Sequence, residues 1–244
     1  MNILVLRGEG INCERESARA FERLGAKTTP CSVRDLVRAP TKLLQASMLV
    51  FPGGFSYGDE MQSGHVLGLA LKEALKEVWP AFLARGGLVI GVCNGFQTLM
   101  KMGVFEAGPR TLALAHNESH QFIDRWVSLE VRSSRCIWTR GLEGRELVLP
   151  SRHGEGRIWS ETTSFEMLDD LGQVPLRYRE NINGSMGRIA GLCDPSGQIL
   201  GMMPHPEAAL DEWLFPAEYR SPEKAQLNAL LFQNALKHLQ GASL

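Results

Sequence analysis

Composition alone excludes several functions for this sequence. Its 244 residues hold 26 Lys and Arg against 27 Asp and Glu, a formal net charge of -1. No excess of either sign recruits nucleic acid or an anionic membrane surface. Long hydrophobic runs are missing. The opening apolar run stops at Arg7-Gly8, too short for a signal peptide. No later stretch approaches the roughly 20 apolar residues a membrane helix needs. The cysteines, Cys13, Cys31, Cys93, Cys136 and Cys193, are odd in number and contain no Cys-x-x-Cys pair. That pattern argues against a disulfide or zinc framework and for reduced thiols in a cytoplasmic location. No Gly-Lys-Ser or Gly-Lys-Thr occurs, so no phosphate loop is expected. Arg7-Gly8-Glu9-Gly10 lacks the third glycine of a dinucleotide fingerprint. Internal repeats, low-complexity tracts and linker-like stretches are also missing.

What remains is an ordinary globular composition, 44% apolar and 22% charged, long enough for one large core with an insertion. Short apolar runs at residues 2–6, 47–51, 87–92 and 199–203 read as buried strands. Helical spacing covers 17–24, 64–83, 94–102 and 222–239. Pro80 is expected to break or restart the second of these and Pro222 to open the last. Strands alternating with helices predict an α/β fold, a mostly parallel sheet flanked by helices. Between about 110 and 183 the pattern changes to period two, clearest over 126–131. This predicts an antiparallel elaboration packed on the core of a single domain spanning 1–244.

The most informative segment is Gly91-Val92-Cys93-Asn94-Gly95, a strand, a sharp turn and a helix with Cys93 at the corner. Gly-x-Cys-x-Gly has the layout of a nucleophile elbow. Small neighbours let the backbone cross closely at a strained turn. The helix that starts there points its free N–H groups and positive end at the sulfur, which favours thiolate. The backbone N–H of Asn94 can donate to an oxyanion formed on an attacked carbonyl. Alone, a cysteine after an apolar strand is as readily a small buried hydrophobe, and the other four cysteines are read that way.

Cysteine chemistry needs a base. Pro204-His205-Pro206-Glu207 supplies one, with a neutral-range pKa and a backbone restrained by flanking prolines. Residues two apart in an extended chain point the same way, so Glu207 is expected beside the His205 ring, holding its tautomer. Pro52-Gly53-Gly54 follows another buried strand at the same sheet edge, where sites gather. Gly53 or Gly54 could provide a second oxyanion donor. His116 and His120, four apart, would suit a metal only on a helix. The intervening Asn117-Glu118-Ser119 is a poor helix former, so no metal site is expected.

These residues carry a resemblance over nearly the whole chain. The sequence resembles the class I glutamine amidotransferases, and among them the glutaminase subunits of phosphoribosylformylglycinamidine synthases. The elbow and the His-Pro-Glu run mark the class. The subtype marks include Gly10-Ile11-Asn12-Cys13-Glu14, Phe55-Ser56-Tyr57-Gly58-Asp59, Cys93-Asn94-Gly95-Phe96-Gln97, His153-Gly154-Glu155-Gly156-Arg157 and Asn183-Gly184-Ser185. The resemblance implies a flavodoxin-like fold, Cys93 as nucleophile, His205 and Glu207 completing a triad, and Gln97 helping to hold glutamine. It implies a glutamyl thioester hydrolysed after ammonia leaves. Ammonia would pass to a large ATP-dependent synthetase subunit, with a small bridging subunit in many bacteria. ATP and magnesium would then belong to the partner, with no cofactor in this chain. The sequence departs from the family pattern at Arg7-Gly8-Glu9-Gly10, where a proline-glycine turn is usual, at Glu60-Met61-Gln62, and at Ala208, where arginine is common, which bears on the partner-facing surface. A stand-alone amide or peptide hydrolase, a glutaminase for a different synthetase, and a non-catalytic docking protein remain open on the sequence.

Overall fold

A computed structural model describes residues 1–106 and 111–241. The first half alternates strands and helices: β1 (Ile3–Arg7), α1 (Glu14–Glu22), β2 (Thr28–Ser32), α2 (Val33–Arg38), β3 (Met48–Phe51), α3 (His65–Leu75), α4 (Trp79–Ala84), β4 (Leu88–Val92) and α5 (Asn94–Met102). The second half holds β5 (Ala113–His116), β6 (Ile123–Val131), β7 (Glu146–His153), β8 (Glu155–Trp159), α6 (Phe165–Asp170), β9 (Leu176–Tyr178), β10 (Ile189–Cys193), β11 (Ile199–Met202) and α7 (Pro222–Leu239).

Nine strands form one mixed sheet in the order β2-β1-β3-β4-β11-β10-β9-β6-β7. The first five of that order run parallel. Strands β1, β3, β4 and β11 carry continuous apolar runs because helices cover both their faces. Strand β6 alternates buried and half-buried residues from Trp126 to Val131, as period two predicts. Edge strand β2 was invisible to pattern reading. It has one neighbour, shows little burial and contains Pro30, which only an edge tolerates.

The expected antiparallel elaboration differs in its placement. Strands β6, β7 and β9 do not pack on the sheet but extend it through β10, which pairs antiparallel with β11. Backbone donors and acceptors along the edge of β11 are thereby satisfied, which a layer packed face-on would not achieve. Among the described residues, only β5 and β8 form a separate two-stranded sheet. Arg110, the expected start of this region, lies outside the described residues. The long helical pattern at 64–83 divides into α3 and α4, with Pro80 in the first turn of α4.

Three neighbouring parallel strands, β3, β4 and β11, are in direct register, with Phe51 opposite Gly91 and Met202 opposite Val92. Their carboxyl ends lie at one rim, so Gly53, Cys93 and His205, which follow these strands, are delivered to the same place. Helix α7 opens with Ser221, whose hydroxyl accepts from Lys224 N. Its fully buried Asn228 donates to Val148 O at 3.1 Å and Ala209 O at 2.9 Å, tying the helix to β7 and to the chain just after Glu207. No described helix is long and apolar enough to cross a membrane.

Asn228→Ala strands two buried carbonyls and should lower stability by about 2–4 kcal/mol in denaturant unfolding. A loss under about 0.5 kcal/mol would show that Asn228 does not hold α7 in place.

Candidate active site

Cys93 sits between β4 and α5 with φ 52° and ψ -110°, a conformation L-residues rarely adopt and one worth about 1–3 kcal/mol of strain. Its N–H donates to Met202 O at 2.8 Å, and its carbonyl accepts from Gln97 N at 3.0 Å. The flanking glycines are required by close approach. A Cβ on Gly91 would stand 2.5 Å from Leu99 Cδ1 and 2.7 Å from Gly95 O. One on Gly95 would run into the Phe51 carbonyl. The Cys93 thiol points to Arg152 O on β7 at 3.4 Å.

The other rim segments converge on Gly53. A Cβ there would meet His205 Cε1 at 2.8 Å, Cys13 Sγ at 3.3 Å and Cys93 Cβ at 3.5 Å. The structure therefore brings together the sulfur and the imidazole that the sequence separates by more than a hundred residues. Gly53 O accepts from Asn12 N and Cys13 N, both at 3.2 Å. Gly54, at φ +149°, packs against Gly10 O and Asn12 N, where no side chain fits.

His205 Nδ1 is 2.6 Å from Glu207 Oε1, and both residues are buried. The pairing was expected, but its cause was not strand alternation. His205 is extended (φ -102°, ψ 92°), and the chain then enters a 3-10 turn over Pro206–Ala208 that folds Glu207 back onto the ring. His205 N is anchored to Pro150 O at 2.8 Å. Burial pushes the imidazole pKa down. The Glu207 carboxylate, then the charge of Cys93 and hydrogen bonding from Cys13 and Cys93, outweigh it and carry the net shift well above the ordinary value. The ring is thus suited to holding a proton.

Sequence reading missed a network around the elbow. Asn94 was singled out for its backbone N–H, yet its side chain joins three segments. Its Oδ1 accepts from Ser56 N at 3.0 Å, and its Nδ2 donates to Asp59 Oδ1 at 2.9 Å and Gln97 Oε1 at 3.0 Å. Gln97 Nε2 donates to Glu155 O at 2.5 Å, and Glu155 Oε2 accepts from Ser63 N at 3.2 Å. Burial raises the Asp59 pKa; bonds from Ser63 and Asn94 oppose the shift, and the Glu155 carboxylate adds to it. Asn183 Nδ2 braces the same region through Gly156 O at 2.9 Å. The segments that carry the subtype resemblance are therefore one connected structure.

Cys13, read as a packing residue, is in the site. It is half-buried beside His205, and only its position in Gly10-Ile11-Asn12-Cys13-Glu14 hinted at this. His116 and His120 do not share a helix. The first ends β5, 3.8 Å from Glu155 Oε1, and the second occupies a turn at φ 54°. Between them, Asn117 pairs with a different histidine: His153 Nδ1 lies 3.0 Å from Asn117 Oδ1. The departures from the family pattern change none of Cys93, His205 and Glu207, though Ala208 lines the same groove as Glu207. Glu60, Met61 and Gln62 are exposed, and Ala208 lies half-buried in a groove with Arg19, Arg23 and Arg152.

Burial, and then the charge of His205, lower the His153 pKa from 6.5 to about 4. The unfolded chain then binds a proton that the fold refuses. The stability His153 contributes is complete above pH 6.5 and lost as pH falls toward 4, up to about 3 kcal/mol. Unfolding curves across that window should show this slope in the native chain and lose it in His153→Gln. Equal slopes would contradict a buried neutral His153.

Residues 1–239 match the CobB/CobQ-like glutamine amidotransferase domain. The chain is 34% identical to phosphoribosylformylglycinamidine synthase subunit PurQ of Methanococcus maripaludis, over 97% of this chain and 96% of that one. It is 36% identical to the PurQ subunit of Dehalococcoides mccartyi, over 96% of each. Among solved structures, PurLQS from Thermotoga maritima superposes with a TM-score of 0.79 at 31% identity, covering 98% of both chains. The chain belongs to the PurQ family of glutamine amidotransferases.

Proposed function

We propose that this chain is the glutaminase subunit of a phosphoribosylformylglycinamidine synthase, splitting glutamine into glutamate and ammonia for a synthetase subunit. The observation that carries this reading is the meeting of Cys93 with the His205–Glu207 pair at Gly53, in a chain of the PurQ family.

The chemistry follows from the placement. Cys93 sulfur attacks the side-chain carbonyl carbon of glutamine, and its proton resides on His205. The carbonyl oxygen becomes an oxyanion, for which the N–H of Asn94, at the first turn of α5, and that of Gly53 or Gly54 are the donors. His205 returns the proton to the amide nitrogen, the C–N bond breaks, and ammonia leaves a glutamyl thioester. Water, deprotonated by His205, then cleaves the thioester to glutamate and regenerates the thiol. Glu207 fixes the imidazole tautomer and stabilises its cation. Gln97 bonds to Asn94 and to the Glu155 carbonyl, which holds the Glu155 strand against the elbow while the amide's remaining N–H and lone pair are left to help hold glutamine. ATP and magnesium belong to the synthetase subunit, as does the phosphorylated substrate. A small bridging subunit completes the assembly.

In the reconstituted complex, Cys93→Ala should reduce glutamine-dependent synthesis by roughly ten-thousand-fold or more. Synthesis from added ammonia should stay at the native rate. Loss of both with the fold intact, or retention of both, would overturn the assignment.

A further inference from the structure

The mechanism above leaves Cys13 without a task. It is the N-cap residue of α1, a position that favours side-chain oxygens bonded to the first turn, yet its side chain makes no capping bond. The thiol instead donates to Asn12 Oδ1 at 3.3 Å and lies near the imidazole. One donor atom from each of Cys13, His205 and Glu207 lies within 4.8 Å of the other two. Gly53 permits this closeness, since a side chain there would occupy the space between Cys13 Sγ and the His205 ring. Glu207 is buried, and its Oε2 has no hydrogen-bond partner among the described residues. Half-buried Cys13 gives solvent a way to the cluster.

We propose that Cys13, His205 and Glu207 form an inhibitory site for a thiophilic divalent cation of the zinc type. The proposal rests on the reading that His205 and Glu207 serve Cys93. A thiolate, an imidazole and a carboxylate are a zinc donor set, with bonds of about 2.0–2.3 Å and donor atoms roughly 3–4 Å apart around the ion. Atoms already within 4.8 Å reach that spacing by shifts of about 1 Å. Three protein ligands leave a fourth position for water. Binding releases two protons to solvent, one from the Cys13 thiol and one from the hydrogen bond between His205 Nδ1 and Glu207. It also takes Glu207 out of the hydrogen bond that orients the His205 ring toward Cys93, so glutamine splitting stops while the fold persists. Sulfur and nitrogen ligands disfavour magnesium, so the magnesium expected on the synthetase subunit does not compete.

The test uses the metal-free chain, alone and with its synthetase subunit, titrated with zinc chloride and, as a spectroscopic probe, cobalt chloride. Glutaminase rates are normalised to each variant's own metal-free rate. The expected result is one cobalt per chain with a thiolate charge-transfer band, activity falling in step with zinc occupancy, and recovery on chelation. Cys13→Ser keeps a favoured N-cap and Cys13→Ala removes the side-chain donor; both should weaken zinc inhibition about tenfold or more. Inhibition of both variants at the native zinc concentration would place the metal on Cys93 and His205 alone and overturn the proposal. Metal bound through Cys13 without loss of turnover would overturn it too. The cobalt band needs no turnover. A chain that binds cobalt through Cys13 yet never splits glutamine would therefore contradict the glutaminase reading and not the site.

Discussion

Everything at this site depends on three parallel strands lying side by side. With β4 between β3 and β11, the chain leaves the sheet three times at one rim, carrying a glycine pair, a cysteine and a histidine. Parallel strands about 4.8 Å apart put those exits within side-chain reach, and no long-range flexibility is needed. Gly53 is the contact point. Its missing Cβ is the space in which the ring of His205, the thiol of Cys13 and the Cβ of Cys93 come together. The strained turn at Cys93 is held there by the Met202 carbonyl on β11 and by the first turn of α5, so the sheet and the helix together fix the sulfur.

Around that point the charges are arranged by opposing environments. His205 is buried yet gains a carboxylate, so its pKa rises; His153 is buried beside a neutral amide and near the charge of His205, so its pKa falls to about 4. One imidazole is equipped to carry a proton and the other to stay neutral. The Asn94 side chain fastens the Ser56–Asp59 turn, the elbow and, through Gln97, the Glu155 strand. The Ser56–Asp59 turn, the Glu155 strand and the nucleophile are thus hydrogen-bonded into one network, which keeps the reacting groups at fixed spacing.

Much of this was legible in the sequence because it rests on local rules. The elbow at Cys93, the helix over Asn94–Met102 and the helix over Pro222–Leu239 each carry their own stop and start signals, and the structure returns them as read. What escaped notice depends on partners far along the chain. Strand β2 is held by one neighbour, and nothing in Thr28–Ser32 itself marks it. The antiparallel strands were recognised by period two, but whether they cover the sheet or lengthen it is decided by the free edge of β11. Glu207 was placed beside His205 for the wrong reason: a 3-10 turn, not an extended strand, brings it there. Cys13 looked inert because its neighbours in sequence say nothing of His205, which is its neighbour in space.

The central claim is that the sulfur of Cys93, and no other, attacks the glutamine amide. Acid-quenching the turning-over complex and mapping its peptides by mass spectrometry tests this directly. A glutamyl thioester on the peptide containing Cys93, with Cys13, Cys31, Cys136 and Cys193 unmodified, is the result predicted. Glutamine turnover with the acyl group on Cys13, or on no cysteine at all, would contradict the account.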